Sequence, residues 1–291
     1  FQRELARGKR RGIGLATYVE RSGGASDTVK LAFEGEDTLT VLIGNQSNGQ
    51  GHETMYTQVV AARTQLDPTK IRIVQGDSDR TPAGFTGGSR ATTVGAPAVD
   101  GAVQALIERG RVLAARLFQA DPGDVTYAEG GFVLAGGAQR IDLFALARAL
   151  REQPSLASGP DEQLELSHSH AAPGPTYPNG CHVCELEVDP QTGSIEILRY
   201  TVVDDFGAVI NPLLLEGQVQ GGIAQGIGQA LTERVVYDPD SGQLLTASFM
   251  DYAIPRASDL PNFAFAMHNT PSKNNKLGLK GAGEAGAIIE R

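Results

Sequence analysis

The chain has 291 residues, enough for one or two domains with a sizeable buried core, and this excludes a miniprotein held together by disulfides. Glycine is abundant at 36 residues, which predicts tight turns and close backbone contacts. The 34 acidic side chains outnumber the 25 basic ones, and the net charge of −9 argues against a broad nucleic-acid-binding surface.

The use of cysteine indicates the cellular compartment. Cys181 and Cys184 are the only two, which is typical of a reducing environment, so we expect a cytoplasmic protein. No apolar run reaches the ~20 residues of a membrane span, and the basic start lacks the apolar region of a signal peptide, so we expect no membrane contact. Because the chain opens on Phe1 and closes at Arg291 directly after a glycine-rich motif, we expect it to be one piece of a longer polypeptide.

The first half of the chain mixes strand and helix patterns. Residues alternate in polarity over Lys30–Gly44 around an acidic turn, which predicts a β-hairpin. Thr54–Leu66 and Ala98–Phe118 carry apolar residues at helical spacing and are predicted helices. The other predicted elements of this half are a strand, a hairpin and a short helix at Ile71–Val74, Tyr127–Leu134 and Leu143–Leu150.

The second half restarts after a stretch rich in Pro, Ser, Gly and Asp. We predict a linker over residues 154–178 for this reason. Its predicted elements are two strands joined by a turn, a glycine-rich helix and a late strand, at His182–Val188, Ile195–Val203, Glu216–Leu231 and Phe263–His268. Since strands and helices do not alternate regularly, we predict an α+β fold with two mixed strand-helix subdomains, residues 1–153 and 179–291.

The loop Gly44–Gly51 has the glycine spacing of a phosphate-binding loop between a strand and a helix. Gln50 and Gly51 stand where such a loop has its lysine and its hydroxyl residue, so NTP hydrolysis is not expected. The loop still offers N–H groups and an amide to an anionic or amide-rich ligand, and a plain strand-helix connection is the alternative. His52 is either a ligand residue or, as an isolated histidine at a helix start, a cap or a packing group.

A second loop, Gly281–Gly286, matches the dinucleotide-binding fingerprint but lacks the long helix that must follow it, so a Rossmann site is not expected. Small neighbours would let a ligand approach Glu284, and an ordinary exposed loop carboxylate is the alternative. The glycine-rich helix over Glu216–Leu231 indicates that something comes close to its backbone, whether a ligand or a tightly packed sheet.

The two cysteines do not form a convincing metal site. Structural zinc needs four ligands, and no second Cys/His pair has matching spacing. Because an alternating strand places residues three apart on opposite faces, we predict that the side chains of Cys181 and Cys184 diverge and form no disulfide.

Taken together, four ordered segments resemble the large, molybdenum-binding subunit of the xanthine dehydrogenase, aldehyde oxidase and carbon monoxide dehydrogenase family. The segments are Gly49–Thr54, Gly87–Thr93, Glu216–Gly228 and Leu277–Gly286, and Asp251–Pro255 also fits the family pattern. The resemblance runs from about Arg11 to the last residue. A serine that recurs in the second segment is Ala91 here, which removes one hydroxyl donor.

The resemblance implies a molybdopterin cofactor, in its cytosine dinucleotide form, in a cleft flanked by the two subdomains. The molybdenum would be held through the pterin dithiolene and by no side chain directly. The cofactor-binding residues that it implies are Gly49, Gln50, Gly51, His52, Ser89, Arg90, Thr92, Gln225, Lys280, Gly281 and Gly283. Glu284 occupies the position of the catalytic base, for hydroxylation of an aldehyde, an N-heterocycle or a similar carbon with oxygen from water.

The same resemblance implies partners. Two cysteines cannot ligate an iron–sulfur cluster, so we expect [2Fe–2S] clusters and FAD on partner domains or subunits, together with an upstream half of the large subunit. The isolated chain is then expected to be inactive toward its small-molecule substrate. The alternative is a cofactor-binding or assembly fragment without turnover.

Overall fold

The computed structural model describes residues 8–137, 139–157, 159 and 163–287. Within them the strands are β1 (Arg10–Val19), β2 (Ser26–Glu34), β3 (Thr38–Ile43), β4 (Ile71–Val74), β5 (Val125–Ala128), β6 (Gly131–Leu134), β7 (Arg140–Asp142), β8 (Leu166–Ala171), β9 (Asn179–Val188), β10 (Ile195–Asp205) and β11 (Phe263–Met267). The α-helices are α1 (His52–Thr64), α2 (Ala96–Phe118), α3 (Leu143–Glu152) and α4 (Pro212–Leu231). The predicted α+β class is confirmed.

The contacts divide the chain into two compact units. The terminal unit comprises the described chain up to Ser22, the segment Thr176–Lys273 and the described chain from Gly278 onward. The central unit comprises Gly23–Pro175 and the short segment Asn274–Leu277. This division differs from the boundaries expected from composition, because β1 groups with the second half of the chain.

The central unit contains a four-stranded sheet in the order β4-β3-β2-β8 and a three-stranded sheet β5-β6-β7. β8 lies in the stretch predicted as a linker, where it pairs antiparallel with β2 from Leu166↔Leu31 to Ala171↔Ser26. α2 is preceded by one π-helical turn, Ala91–Gly95. The fully buried residues of this unit include Leu31 and Val41 of the four-stranded sheet, Tyr56 of α1, and Val99 and Leu106 of α2.

The terminal unit contains a four-stranded sheet in the order β1-β9-β10-β11. β9 lies between β1 and β10 and is antiparallel to both, and β10 is parallel to β11. The N-cap residue of helix α4 is Asn211, whose side chain accepts a hydrogen bond from the Leu214 N–H. Its apolar residues pack with the sheet in one core cluster that contains Tyr18, Tyr200, Val202, Phe206, Val219, Ile223, Ile227 and Ala285.

Candidate functional site

The first two glycine loops contact each other within the central unit. A Cβ on Gly44 would be 2.3 Å from the Pro82 carbonyl oxygen, and one on Gly84 would be 2.6 Å from the Gly44 carbonyl carbon. No residue other than glycine fits at the two positions where the loops cross. The structure therefore brings together the loop that follows β3 and the loop that precedes α2.

Asn45 connects these loops to the core, and motif reasoning did not identify it. Its side chain is fully buried, donates to Asp27 Oδ2 at 3.1 Å and accepts from the Tyr56 hydroxyl at 2.9 Å. Gln75 Nε2 donates to the Asn45 carbonyl oxygen at 2.5 Å. Buried amides with full hydrogen bonding hold a loop in one geometry. The signal in the sequence was a polar residue in the loop, two positions after the end of a buried strand.

His52 supports the first loop from inside. It is the first residue of α1 and 3% exposed, and Gln75 Nε2 lies 3.2 Å from its Nδ1. When Gln75 Nε2 donates to Nδ1, the proton of the neutral ring lies on Nε2. Burial lowers the pKa of His52 to about 4, so the ring is neutral near pH 7. The His52 side chain therefore packs and forms its hydrogen bond inside the protein.

Gln50 lies nearer the surface of the same loop. Its Oε1 accepts from the Asn48 N–H at 2.5 Å and from the Ser47 hydroxyl at 3.3 Å. Gly51, the N-cap residue of the helix that follows, has a left-handed φ of 79° and provides no side-chain cap. The loop therefore presents the Gln50 amide nitrogen and the uncapped first N–H groups of α1.

Arg90 is part of the framework of the second loop. Its Nη1 lies 3.0 Å from Asp27 Oδ1 and donates to the Phe85 carbonyl at 2.8 Å, and Nη2 donates to the Ser26 carbonyl at 2.6 Å. The guanidinium is 2% exposed and stacks 4.4 Å from the centre of the Phe85 ring. Burial raises the pKa of Asp27, and the charge of Arg90 opposes that rise. Both terminal nitrogens of Arg90 are thus used internally.

Ser89 and Thr92 complete this loop. Ser89 has a left-handed φ of 53°, and its hydroxyl is buried with no hydrogen-bond partner among the described residues. Thr92 donates to Met55 Sδ at 3.4 Å. A buried hydroxyl without a partner is unfavourable unless something else bonds to it.

The closing loop, residues 278–286, lies in the terminal unit and is held through Lys280. Its Nζ is 2.7 Å from Asp205 Oδ2, and both side chains are about nine-tenths buried. Burial alone would raise the pKa of Asp205, but hydrogen bonds from Lys280 and from the Thr270 and Gly207 N–H groups hold that pKa below its usual value. Asp205 therefore fixes the start of the closing loop, a role that the sequence motif did not reveal.

Three further contacts fix the rest of the closing loop. The Gly281 N–H donates to the buried Ser22 hydroxyl at 3.2 Å. Gln218 Nε2 of α4 donates to the Gly283 carbonyl at 3.2 Å. Gly286 lies against Gly222 of the same helix, where a Cβ on Gly222 would be 3.0 Å from the Gly286 Cα.

Glu284 is exposed between these fixed points. Ala285 beside it is completely buried in the core cluster, so the backbone there has little freedom. Gln225, also exposed, follows Gln218 by two helical turns and lies on the same side of α4. The terminal unit thus presents one carboxylate and one amide on a rigid support.

The donor set suits an anionic, hydrogen-bonding cofactor. Arg90 and Lys280 are paired with internal carboxylates, so the groups left to bind such a cofactor are backbone N–H groups, amides, the Ser89 hydroxyl and the Arg90 Nε–H, the last two of which are buried with no partner among the described residues. Phosphates are commonly held in this way. The residues of the central unit therefore fit a ligand that carries phosphate and amide groups.

The cysteines follow the pattern predicted for a strand. Cys184 packs against the core cluster, whereas Cys181 lies on the other face of β9, opposite Thr17 and Val203. Both are free thiols. Among the described residues no cluster of three or more His, Cys, Asp or Glu side chains could ligate a metal ion. Within that same part of the chain, no helix combines the length and the apolar character that crossing a membrane requires.

Comparison with known proteins gives the family context. The model of the molybdopterin cofactor-binding domain matches residues 1–261. The chain is 36% identical to the 6-hydroxypseudooxynicotine dehydrogenase complex subunit gamma of Paenarthrobacter nicotinovorans, covering 99% of the chain and 36% of that subunit. It is 30% identical to the carbon monoxide dehydrogenase large chain of Hydrogenophaga pseudoflava, covering 94% of the chain and 36% of that large chain. The crystal structure of quinoline 2-oxidoreductase from Pseudomonas putida 86 superimposes with a TM-score of 0.86 at 30% identity, covering 99% of the chain and 38% of its own chain. The chain thus spans about a third of the length of the curated relatives it matches.

Proposed function

Because this chain belongs to the molybdopterin cofactor-binding domain family, we propose that it holds the cytosine dinucleotide form of the cofactor in a molybdenum hydroxylase. The observation that carries the choice of a dinucleotide is the buried Ser89 hydroxyl, which has no partner among the described residues. It lies where a loop with left-handed backbone enters a helix without a side-chain cap. A pyrophosphate oxygen would satisfy that hydroxyl and the neighbouring N–H groups together.

Each unit has its own part in this proposal. In the central unit, Gly49, Gln50, Gly51 and the backbone N–H of His52 form one binding loop, and Ser89 and Thr92 form the other. In the terminal unit, Gln225, Gly281 and Gly283 offer an amide and small backbone surfaces. Arg90 offers its Nε–H to the cofactor, and the ion pairs of Arg90 with Asp27 and of Lys280 with Asp205 hold the two loops that carry these donors.

The chemistry divides between the cofactor and the chain. When bound, the molybdenum centre supplies a two-electron oxidation in which water is the source of oxygen. Glu284 accepts the proton that the water-derived oxygen loses, as a general base. Its support on Gly281, Gly283 and Gly286 keeps the carboxylate in place without side chains that would block a small substrate. The substrate class is an aldehyde, an N-heterocycle or a similarly electrophilic carbon.

The cofactor form has a direct test. Acid hydrolysis of the purified enzyme releases CMP in proportion to molybdenum if the dinucleotide form is bound. Ser89→Ala is expected to lower the molybdenum and CMP content together, whereas Ser194→Ala, in the exposed turn between β9 and β10, leaves both unchanged. Molybdenum without CMP would contradict the dinucleotide assignment.

The role of Glu284 is tested in the assembled enzyme. Glu284→Gln is expected to lower kcat by roughly 10²- to 10⁴-fold, the usual contribution of a general base, with the molybdenum content unchanged. Glu152→Gln, a matched change on an exposed residue at the end of α3, serves as control. If the molybdenum-loaded Glu284 variant turned over as fast as the control, Glu284 would not be the catalytic base. The chain would then be a cofactor-binding chain without a catalytic carboxylate at this position.

Electron transfer away from the site requires other redox groups. We place [2Fe–2S] clusters and FAD on partner domains or subunits. The side chains of Cys181 and Cys184 lie on opposite faces of β9, and two cysteines cannot ligate a cluster that needs four thiolates. Visible absorption and metal analysis of the purified assembly would detect them. An enzyme that turns over with molybdenum alone would overturn this part of the proposal.

A further inference from the structure

One face of the sheet of the terminal unit packs against the core cluster of that unit. Tyr18, Tyr200 and Val202 point into the cluster that contains residues of helix α4. Successive side chains of a strand point to opposite faces, so the odd-numbered residues of β1 lie on the other face. On β1 those residues are largely apolar, with Ile13, Leu15 and Val19 among them.

The residues of β1 on this second face are mostly apolar and exposed to solvent, and in the register of the sheet Ile13 lies beside Glu185 and Val19 beside Asn179. Ile13 is 75% exposed, Leu15 70% and Val19 72%. In the register of the sheet Leu15 lies beside Val183, and Thr17 lies beside Cys181, which in turn pairs with Val203. Val203 is itself 42% exposed. We call this surface the outer face, and its residues are Ile13, Leu15, Val19, Cys181, Val183 and Val203.

The edge of the sheet is open as well. Within the described residues β1 pairs with β9 alone, so one side of its backbone has no strand partner. The stretch Gly12–Val19 contains no charged residue and no proline, the features that usually protect an edge strand. Soluble proteins rarely leave an apolar surface of this kind uncovered, and strands that are apolar on both faces belong to sheets buried on both sides.

We propose that the outer face is the docking surface for the part of the molybdenum hydroxylase large subunit that lies outside the matched region. The curated relatives carry nearly two thirds of their length beyond the segment that matches this chain, so they hold ample polypeptide to cover it. A second copy is a poor occupant, because each chain has a net charge of −9 and two copies repel. The apolar surface ends in a charged margin, where Arg11 lies 3.5 Å from Glu187, as expected at the rim of an interface.

The occupant is identified by photocrosslinking in the purified enzyme assembly. The variant Ile13→benzoylphenylalanine is expected to crosslink to a peptide homologous to the unmatched part of the relatives' large subunits. The control, Gln191→benzoylphenylalanine, places the same group in the exposed turn between β9 and β10. A crosslink to an iron–sulfur or flavin subunit, a crosslink to a second copy of this chain, or a yield no higher than the control would each overturn the proposal.

Cys181 provides a second measurement that needs no substitution. Its alkylation is expected to be at least about tenfold slower in the assembly than in the isolated chain, since a covered thiol is inaccessible to the reagent. Cys184, which faces the core, is the internal control. Equal rates for Cys181 in both samples would show an open outer face. The molybdenum content of the same samples tests the cofactor proposal separately, because this inference depends on family membership and not on Glu284.

A charge on the outer face gives a third test. Leu15→Glu is expected to reduce the yield of assembled enzyme, while the circular dichroism of the isolated chain is unchanged because Leu15 is exposed there. Gln191→Glu adds the same charge to the neighbouring turn and is expected to assemble normally. Normal assembly of the Leu15 variant would contradict the proposal.

Discussion

Gly222 of helix α4 and Gly286 of the closing loop meet backbone to backbone. A Cβ on Gly286 would be 2.3 Å from the Ile223 nitrogen and 2.5 Å from the Gly222 carbonyl carbon, distances that no side chain tolerates. The helix and the loop therefore touch without a side chain between them. The contact lies two residues from Glu284 and fixes the end of the segment that presents this carboxylate.

Gly286→Ala tests this contact. The added methyl group must displace backbone, so we expect a loss of about 1–3 kcal/mol in the free energy of unfolding of the terminal unit. Gly221→Ala, one residue from Gly222 on the same helix, meets no atom within 4 Å and is expected to be neutral or stabilising by up to about 1 kcal/mol. Urea unfolding measures the free energy of unfolding of both variants. Equal changes in that free energy for Gly286→Ala and Gly221→Ala would contradict the contact.

The Asp205–Lys280 ion pair gives a prediction about pH. The pKa of Asp205 is held below its unfolded value, so the pair contributes stability that is present above pH ~4 and is lost as the pH falls through the lowered pKa. A double-mutant cycle with Asp205→Asn and Lys280→Met should give a coupling of roughly 1–3 kcal/mol at pH 7. At pH 3 the coupling should be smaller. A coupling that does not change with pH would contradict the assignment.

Local patterns in the sequence predicted much of the fold. Ile71–Val74 is a strand with the predicted bounds, and the helix predicted over residues 54–66 is observed at His52–Thr64. Three strands were not predicted: Arg10–Val19, Arg140–Asp142 and Leu166–Ala171. Leu166–Ala171 has few apolar residues and is a strand because β2 pairs with it, and the partner of Arg10–Val19 is β9, more than 150 residues along the chain. Such pairing depends on distant contacts that local periodicity does not reveal.

The candidate site was predictable in its loops but not in its supports. Glycine-rich segments marked the loops, since close backbone contacts require glycine. The side chains that hold them come from elsewhere: Asp27 holds Arg90, Asp205 holds Lys280 and Ser22 holds Gly281. No spacing rule connects these residues, so the motif identified both cations while their carboxylate partners became evident only in the structure.

His52 makes the central unit sensitive to acid. The pKa of the folded ring is about 4 and that of an unfolded histidine is about 6.5, so the unfolded state binds the extra proton first as the pH falls. Stability is therefore complete above pH ~6.5 and decreases below it, by about 2 kcal/mol between pH 7 and pH 4.5. His52→Gln, which cannot be protonated, should lose this part of the pH dependence in urea unfolding. An unchanged slope would show that other groups cause it.

In the second loop the Asp27–Arg90 pair is the contact that most requires both partners, because both side chains are almost fully buried at a separation of 3.0 Å. Asp27→Asn leaves a buried guanidinium without its countercharge, which we expect to lower the free energy of unfolding by about 3–5 kcal/mol. Asp37→Asn removes a carboxylate from an exposed pair, with Lys70 at 3.2 Å, and should cost less than about 1 kcal/mol. Arg90→Lys should also destabilise the unit, because an ammonium group cannot bond to Asp27, Phe85 and Ser26 at once. If urea unfolding gave equal losses for Asp27→Asn and Asp37→Asn, the buried pair would contribute no more to stability than the exposed one, and the prediction would be wrong.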